Sequence, residues 1–249
     1  MRILLGNGLW HLISQADGMT KLVLLSLLAA SIACWTIVFY KLVLLKLKKK
    51  QIKIVLSKLK KAHTLEQLVS IANKYAKTYP GHLMVSQLNY AKHTLERAST
   101  KELLHQEELL LDEHRFSCIE DMIHLEDAYL PVLSVTATVS PLMGLFGTVW
   151  GLTHSFMSIS QKQVADIVTI APGIAEALLT TLAGLMVAIP VSILYFYLKG
   201  NVDEIEFQLH KISEKIHARI RVTLLEGKGG NEISITSQET AEGSIASSN

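Results

Sequence analysis

Cysteine and charge are both scarce in this chain. Only Cys34 and Cys118 occur among 249 residues, one in an apolar run and the other in a charged helical region. A disulfide between them is not expected, and neither stands in a CxxC or zinc-ligand spacing. Both read as inert buried thiols. No glycine-rich phosphate loop, nucleophile elbow or convergent metal motif is found along the chain. Covalent catalysis therefore has no constellation to use, and no enzyme, cofactor or metal site is expected. Charged residues make up 18%, against about 25% in a usual soluble domain. Apolar residues make up 49%, and the net charge is +2. The total charge says little about partners; its distribution says more.

The apolar excess is concentrated in three runs. Leu22 to Tyr40 holds no charge and is bracketed by Lys21 and Lys41. A bilayer core needs about 20 such residues. The run is too long for a signal-peptide core and no small-residue cleavage site follows, so an uncleaved first span over 22–40 is predicted. The second run covers 128–161, and the third covers 167–198 with Glu176 as its only charge. Helices of that size reach ~45 Å, beyond a hydrocarbon core of ~30 Å. They are expected to tilt, kink or project, with Pro141 and Pro190 as kink points.

Lysines set the expected direction. Lys41 to Lys61 (KLVLLKLKKKQIKIVLSKLKK) contains no acidic residue. The positive-inside rule places that side in the cytoplasm, with contact to anionic lipid. Nucleic-acid binding is the weaker reading of such a block beside a span. The prediction is an all-α membrane protein, N-out and C-in. It has an outside arm at 1–21, a cytoplasmic helical region at 41–127 and a short outside turn at 162–166. A cytoplasmic helix follows at 199–226, then a disordered Gly/Ser/Thr-rich tail at 227–249. In the cytoplasmic region Pro80-Gly81 is the one strong breaker, and Lys101 to Asp127 is expected to run straight into the second span as one long helix. His105, His114 and His124 stand nine and ten apart, not at the helical spacing of paired ligands, and read as solvated.

Small residues mark the last two spans. Gly144, Gly147, Thr148 and Gly151 share one face, extended by Ser140 and Thr136. Gly173, Ala177, Thr181, Gly184 and Ala188 form a comparable stripe. Small residues let helices pack closely in lipid, so the glycines read first as packing residues. Thr148 and Thr181 either bond a carbonyl one turn back or line a polar path; the residues alone favour neither. Glu176 is costly in a span, on the order of +2.5–3.5 kcal/mol for ionisable groups at a helix centre, and should be buried against protein or water. It is either a structural carboxylate or part of a proton or cation relay.

GLFGTVWG (Gly144 to Gly151) and APGIAEALLTTLAGL (Ala171 to Leu185) resemble the two signature helices of the TolQ/ExbB family. The similarity is strong over residues 130–198. The first span, Thr20 to Val38, looks more like TolQ than ExbB, and the three-span pattern departs from the four-span flagellar relative MotA. The resemblance implies a homopentameric ring whose second and third spans surround a lumen. A dimer of a single-span TolR- or ExbD-like partner places a membrane aspartate there, and a TolA- or TonB-like protein can carry the motion across the periplasm. By motif, the family's lining threonines are Thr148 and Thr181 and its third-span glutamate is Glu176. Thr180 stands where close relatives often carry alanine, which adds a second candidate for the lining hydroxyl. The implied function is the proton channel of an inner-membrane motor with protons as coupling ion. The alternative is a non-conducting membrane scaffold.

Overall fold

The computed structural model describes residues 17–62, 64–97, 101–162 and 167–225. Most of the arm at 1–21, the turn after Lys162 and the tail at 227–249 lie outside the described residues. Among the described residues the chain is all helical: α1 Gly18–Leu59, α2 Leu65–Lys74, α3 Tyr79–Arg97, α4 Lys101–Asp127, α5 Leu130–Lys162 and α6 Ile167–Leu225. Three of them, α1, α5 and α6, are long and apolar enough to cross a membrane.

The contacts divide the described chain into two units. The first takes residues 17–43 and 127–200, the second residues 44–126 and 201–225. In the first unit, α1 buries Val23, Leu27, Cys34 and Val38 at helical spacing. Its opposite side leaves Leu22, Leu25, Leu28, Ile32 and Phe39 more than half exposed. Exposed apolar faces of this extent suit a lipid surround, where no water must be displaced. Lys41 is buried rather than standing at a wet boundary.

The second unit has a conventional apolar core. On α6, Val202, Ile205, Leu209, Ile212, Ile216 and Ile220 form a continuous buried stripe, and Leu83, Met84 and Leu88 of α3 and Ile119 of α4 are buried as well. Polar groups fix its register. Gln87 Nε2 donates to Ser213 Oγ at 2.7 Å inside the core. Lys48 pairs with the buried Glu126 and stands over the Tyr79 ring at 4.5 Å. The Tyr79 hydroxyl donates to the Met122 carbonyl at 3.1 Å. Burial, and next the Glu126 charge, push the Tyr79 phenol well above its ordinary range. Burial also raises the Cys118 thiol, and both cysteines are free.

Pro80 and Gly81 open α3 instead of interrupting a helix. Proline fits a first helical turn, where its missing N–H has no partner to lose. Gly81 permits the tight entry: a Cβ there would lie 1.7 Å from the Tyr75 carbonyl oxygen. His114 is not simply solvated. Its Nε2 meets Ser86 Oγ at 3.2 Å and its ring stacks on Tyr90 with centroids 4.3 Å apart.

The expected single helix from Lys101 into the second span is broken. α4 stops at Asp127 and α5 starts at Leu130, with Tyr129 in the left-handed region at φ 71°. Pro131 supplies the reason. It cannot donate to residue 127, its ring clashes with that carbonyl in a continuous helix, and it disfavours helical geometry at the residue before it. The break is pinned by Lys199 Nζ, which donates to both Asp127 carboxylate oxygens at 3.0 and 2.8 Å.

Candidate functional site

The small residues of α5 and α6 face one another. A Cβ on Gly144 would lie 2.9 Å from Thr181 Cα, and one on Gly184 would lie 2.5 Å from the Ser140 carbonyl oxygen and 3.2 Å from Gly144 Cα. Gly147 abuts the Thr180 side chain, where a Cβ would meet Oγ1 at 2.4 Å. Gly151 meets Ala177, and Gly173 meets the Ser155 hydroxyl. Backbone lies against backbone along this contact, which only residues without a Cβ allow. The five glycines singled out by sequence thus sit in one continuous helix–helix seam.

Hydroxyls bond across the seam. Thr181 Oγ1 donates to the Gly144 carbonyl at 3.0 Å. Thr180 Oγ1 lies 3.2 Å from the same carbonyl and 2.7 Å from the Ala177 carbonyl on its own helix. Thr180 is fully buried, whereas Thr181 is half-buried. The buried stripe of α6 therefore runs through Ala177, Thr180, Gly184 and Ala188, with Thr181 at its margin. Thr148 is also half-buried, but its hydroxyl turns back to the Leu145 carbonyl at 2.7 Å. Thr136 and Thr153 do the same on α5, at 2.8 Å each.

Glu176 stands one turn before Thr180 and is half-buried. Its surroundings bring in residues that sequence reasoning did not select. Asp17, Lys21 and His154 are its titratable neighbours. Asp17 is held in turn by the Trp150 indole, whose Nε1 donates to Asp17 Oδ2 at 2.9 Å. That bond, the largest influence on it, keeps the Asp17 carboxyl below the usual carboxylate range. A readable signal existed: Trp150 and His154 are four apart on one face of α5, and Asp17 is the acidic residue next to the first span. The structure thus brings Thr180 and Thr181 together on Gly144, and places Glu176 in a separate polar cluster with Asp17. No group of three or more potential metal ligands occurs among the described residues.

A tightly packed pair of apolar helices with a carboxylate inside one of them defines a polytopic membrane protein with a polar centre. The family model described as MotA/TolQ/ExbB proton channel family matches residues 87–211. Biopolymer transport protein ExbB of Salmonella typhimurium is 34% identical over 211 residues, covering 83% of this chain and 84% of that protein. Tol-Pal system protein TolQ of Pseudomonas aeruginosa is 32% identical over 190 residues, covering 76% and 82%. TolQ of Haemophilus influenzae is 49% identical over a shorter stretch of 77 residues, covering 31% of this chain and 34% of that protein. A solved chain titled "Structure of C. jejuni MotAB" aligns with 97% of this chain and 92% of its own, at TM-score 0.42 and 20% identity. The chain belongs to the MotA/TolQ/ExbB proton channel family, as the motifs in α5 and α6 implied.

Proposed function

We propose that this chain is the proton-conducting subunit of a motor in the bacterial inner membrane, driven by the proton-motive force. The observation that carries the reading is Glu176, the only charged residue between Ile167 and Leu198. An ionisable group at that depth is costly and marks an ion path by default. In this reading five copies form a ring, N-out and C-in. A TolR- or ExbD-like single-span dimer occupies the lumen and presents a membrane aspartate. Protons pass from outside along Glu176, Thr181 and Thr148 to that aspartate and leave to the cytoplasm. Protons are the coupling ion, and the chain carries out no covalent chemistry and uses no cofactor or metal. One charge moved through 100 mV releases about 2.3 kcal/mol, on the scale of the few kcal/mol that separate two conformations. A few protons therefore suffice to step the partner relative to the ring, and a TolA- or TonB-like protein delivers the motion to the outer envelope.

One observation favours a scaffold that does not conduct: both Thr180 and Thr181 place their hydroxyls at the Gly144 carbonyl. The two readings separate on one experiment. The complex with its single-span partner is reconstituted in vesicles, and proton uptake is measured under an imposed potential. Glu176→Gln and Thr181→Val should assemble normally and lose most of the flux. Assembly with full flux in both variants leaves the scaffold. Native mass spectrometry of the extracted complex should show five copies of this chain; a monomer or dimer contradicts the ring.

A further inference from the structure

α1 is one unbroken helix from Gly18 to Leu59, so residues three and four apart keep one face along its whole length. Leu25, Leu28, Ile32, Trp35, Phe39 and Val43 follow that spacing, and all are exposed. They form the side of the helix that suits lipid. The same spacing continues to Lys46 and Lys50, which are exposed as well. The face therefore changes from apolar to cationic within one turn, with no break in the helix. The lysines around this turn are not equivalent. Lys41 lies on the buried side with Val38 and Leu45. Lys48 pairs with Glu126, and Lys49 pairs with Glu204 and donates to Asn201 Oδ1 at 2.6 Å. Lys46 and Lys50 make no hydrogen bond or ion pair among the described residues. The lysine block is thus divided. Two of its members answer carboxylates within the protein, and two face outward directly beyond the apolar stripe.

We propose that Lys46 and Lys50 hold the phosphate of one anionic phospholipid, whose acyl chains lie along Val43, Phe39 and Trp35. Side chains four apart on a helix stand about 5–6 Å apart at Cβ, and two flexible lysine stems can close on one phosphate between them. Their methylenes cover the helix while the ammonium groups reach the headgroup level. The charge selects the lipid. A zwitterionic headgroup brings its own ammonium, which competes with the lysines for the phosphate; an anionic one does not. Each lysine near an anionic membrane surface is worth roughly fivefold in local lipid concentration. An acidic protein segment would answer the two charges but leave the apolar stripe uncovered, whereas a phospholipid matches both halves of the face. The proposal rests on α1 crossing the bilayer and is independent of Glu176 and of conduction.

Trp35 is a reporter already in place. It stands eleven residues before Lys46, about 16 Å along the axis. That puts it among the chain carbons of the leaflet whose headgroups reach Lys46, a layer ~15 Å deep beneath them. Trp10→Phe and Trp150→Phe leave it the sole tryptophan of the full chain. The protein is placed in nanodiscs of phosphatidylcholine with a minor fraction of phosphatidylglycerol, and bromine is carried on the chains of one lipid or the other. Quenching of Trp35 then gives the ratio of the two lipids beside the stripe. Phosphatidylglycerol should be enriched there at least about fivefold over its bulk share. Lys46→Gln and Lys50→Gln should each lower the enrichment, and the double variant should bring it to the bulk ratio. Lys58→Gln with Lys61→Gln removes the same charge from exposed positions of the same block and should leave the enrichment unchanged. A bulk ratio in the parent protein overturns the proposal, as does enrichment that survives the double variant. An equal loss in the Lys58 and Lys61 variant also overturns it, because the lysines then act as a diffuse field and not as a site. So does a Trp35 that neither brominated lipid quenches, because another protein chain then covers the face.

Discussion

Gly184→Ala is the sharpest test of the seam between α5 and α6. The added Cβ would lie 2.5 Å from the Ser140 carbonyl oxygen and 3.2 Å from Gly144 Cα. An ordinary C···O contact is about 3.3 Å or more, so the helices must part locally by up to ~0.8 Å. Both obstacles are backbone atoms, and neither can swing away as a side-chain tip does. Parting also stretches the Thr181 and Thr180 bonds to the Gly144 carbonyl, now 3.0 and 3.2 Å. Overpacking costs about 1–3 kcal/mol, and interhelical hydrogen bonds in a bilayer average about 0.6 kcal/mol each. The better helix propensity of alanine returns up to about 1 kcal/mol. The net expectation is a loss of about 1–3 kcal/mol. Gly200→Ala is the control, because nothing lies within 4 Å of a Cβ there; the same exchange should be neutral or stabilise by up to about 1 kcal/mol. Reversible unfolding in mixed micelles, titrated with a denaturing detergent, reads both. Equal stability of the two variants refutes the argument that backbone contact holds this seam.

Other outcomes follow from single features. Thr180→Val should lose about 1 kcal/mol of stability in the same titration while proton uptake by the reconstituted complex persists, since its hydroxyl is consumed within the seam. Tyr129→Gly should stabilise by about 1–2 kcal/mol, because a left-handed tyrosine carries that penalty and glycine does not; thermal melts in detergent measure it. The Tyr79 phenol titrates above its unfolded value, so its contribution is complete below pH ~10 and is lost as pH rises from there through the folded value. Melts from pH 9 to 11.5 should show wild type falling toward Tyr79→Phe, with the gap widest at the neutral end. Cys118, whose thiol is raised by burial, should alkylate more slowly at pH 8 than a free model thiol and reach the model rate after unfolding.

Much of the architecture follows from local chemistry, and particular residues carry it. Three apolar runs, one about as long as a bilayer requires and two longer, read as helices, because lipid offers no partner for backbone groups. The glycine stripes announce a close contact, because a residue without a Cβ in a helix interior is otherwise a cost. Pro131 was a legible break whose effect the apolar run around it hid: periodicity continues through a position at which the backbone cannot. The membership of Glu176 in a polar centre is likewise written in its isolation among apolar neighbours. What the linear chain does not contain is which hydroxyl faces which carbonyl. Thr180 and Thr181 are adjacent, and a rotation of α6 by one position exchanges the buried residue for the marginal one. The approach of Gly147 on α5, whose missing Cβ leaves the space the Thr180 side chain fills, selects Thr180. The bond from Trp150 to Asp17 is more remote still, since 133 positions separate the indole from the carboxylate that it holds. Sequence sets the helices and their sticky faces because those depend on neighbours three or four residues away. Tertiary structure alone sets the hydrogen bonds between them, because these depend on rotations and offsets of whole helices that no local interaction specifies.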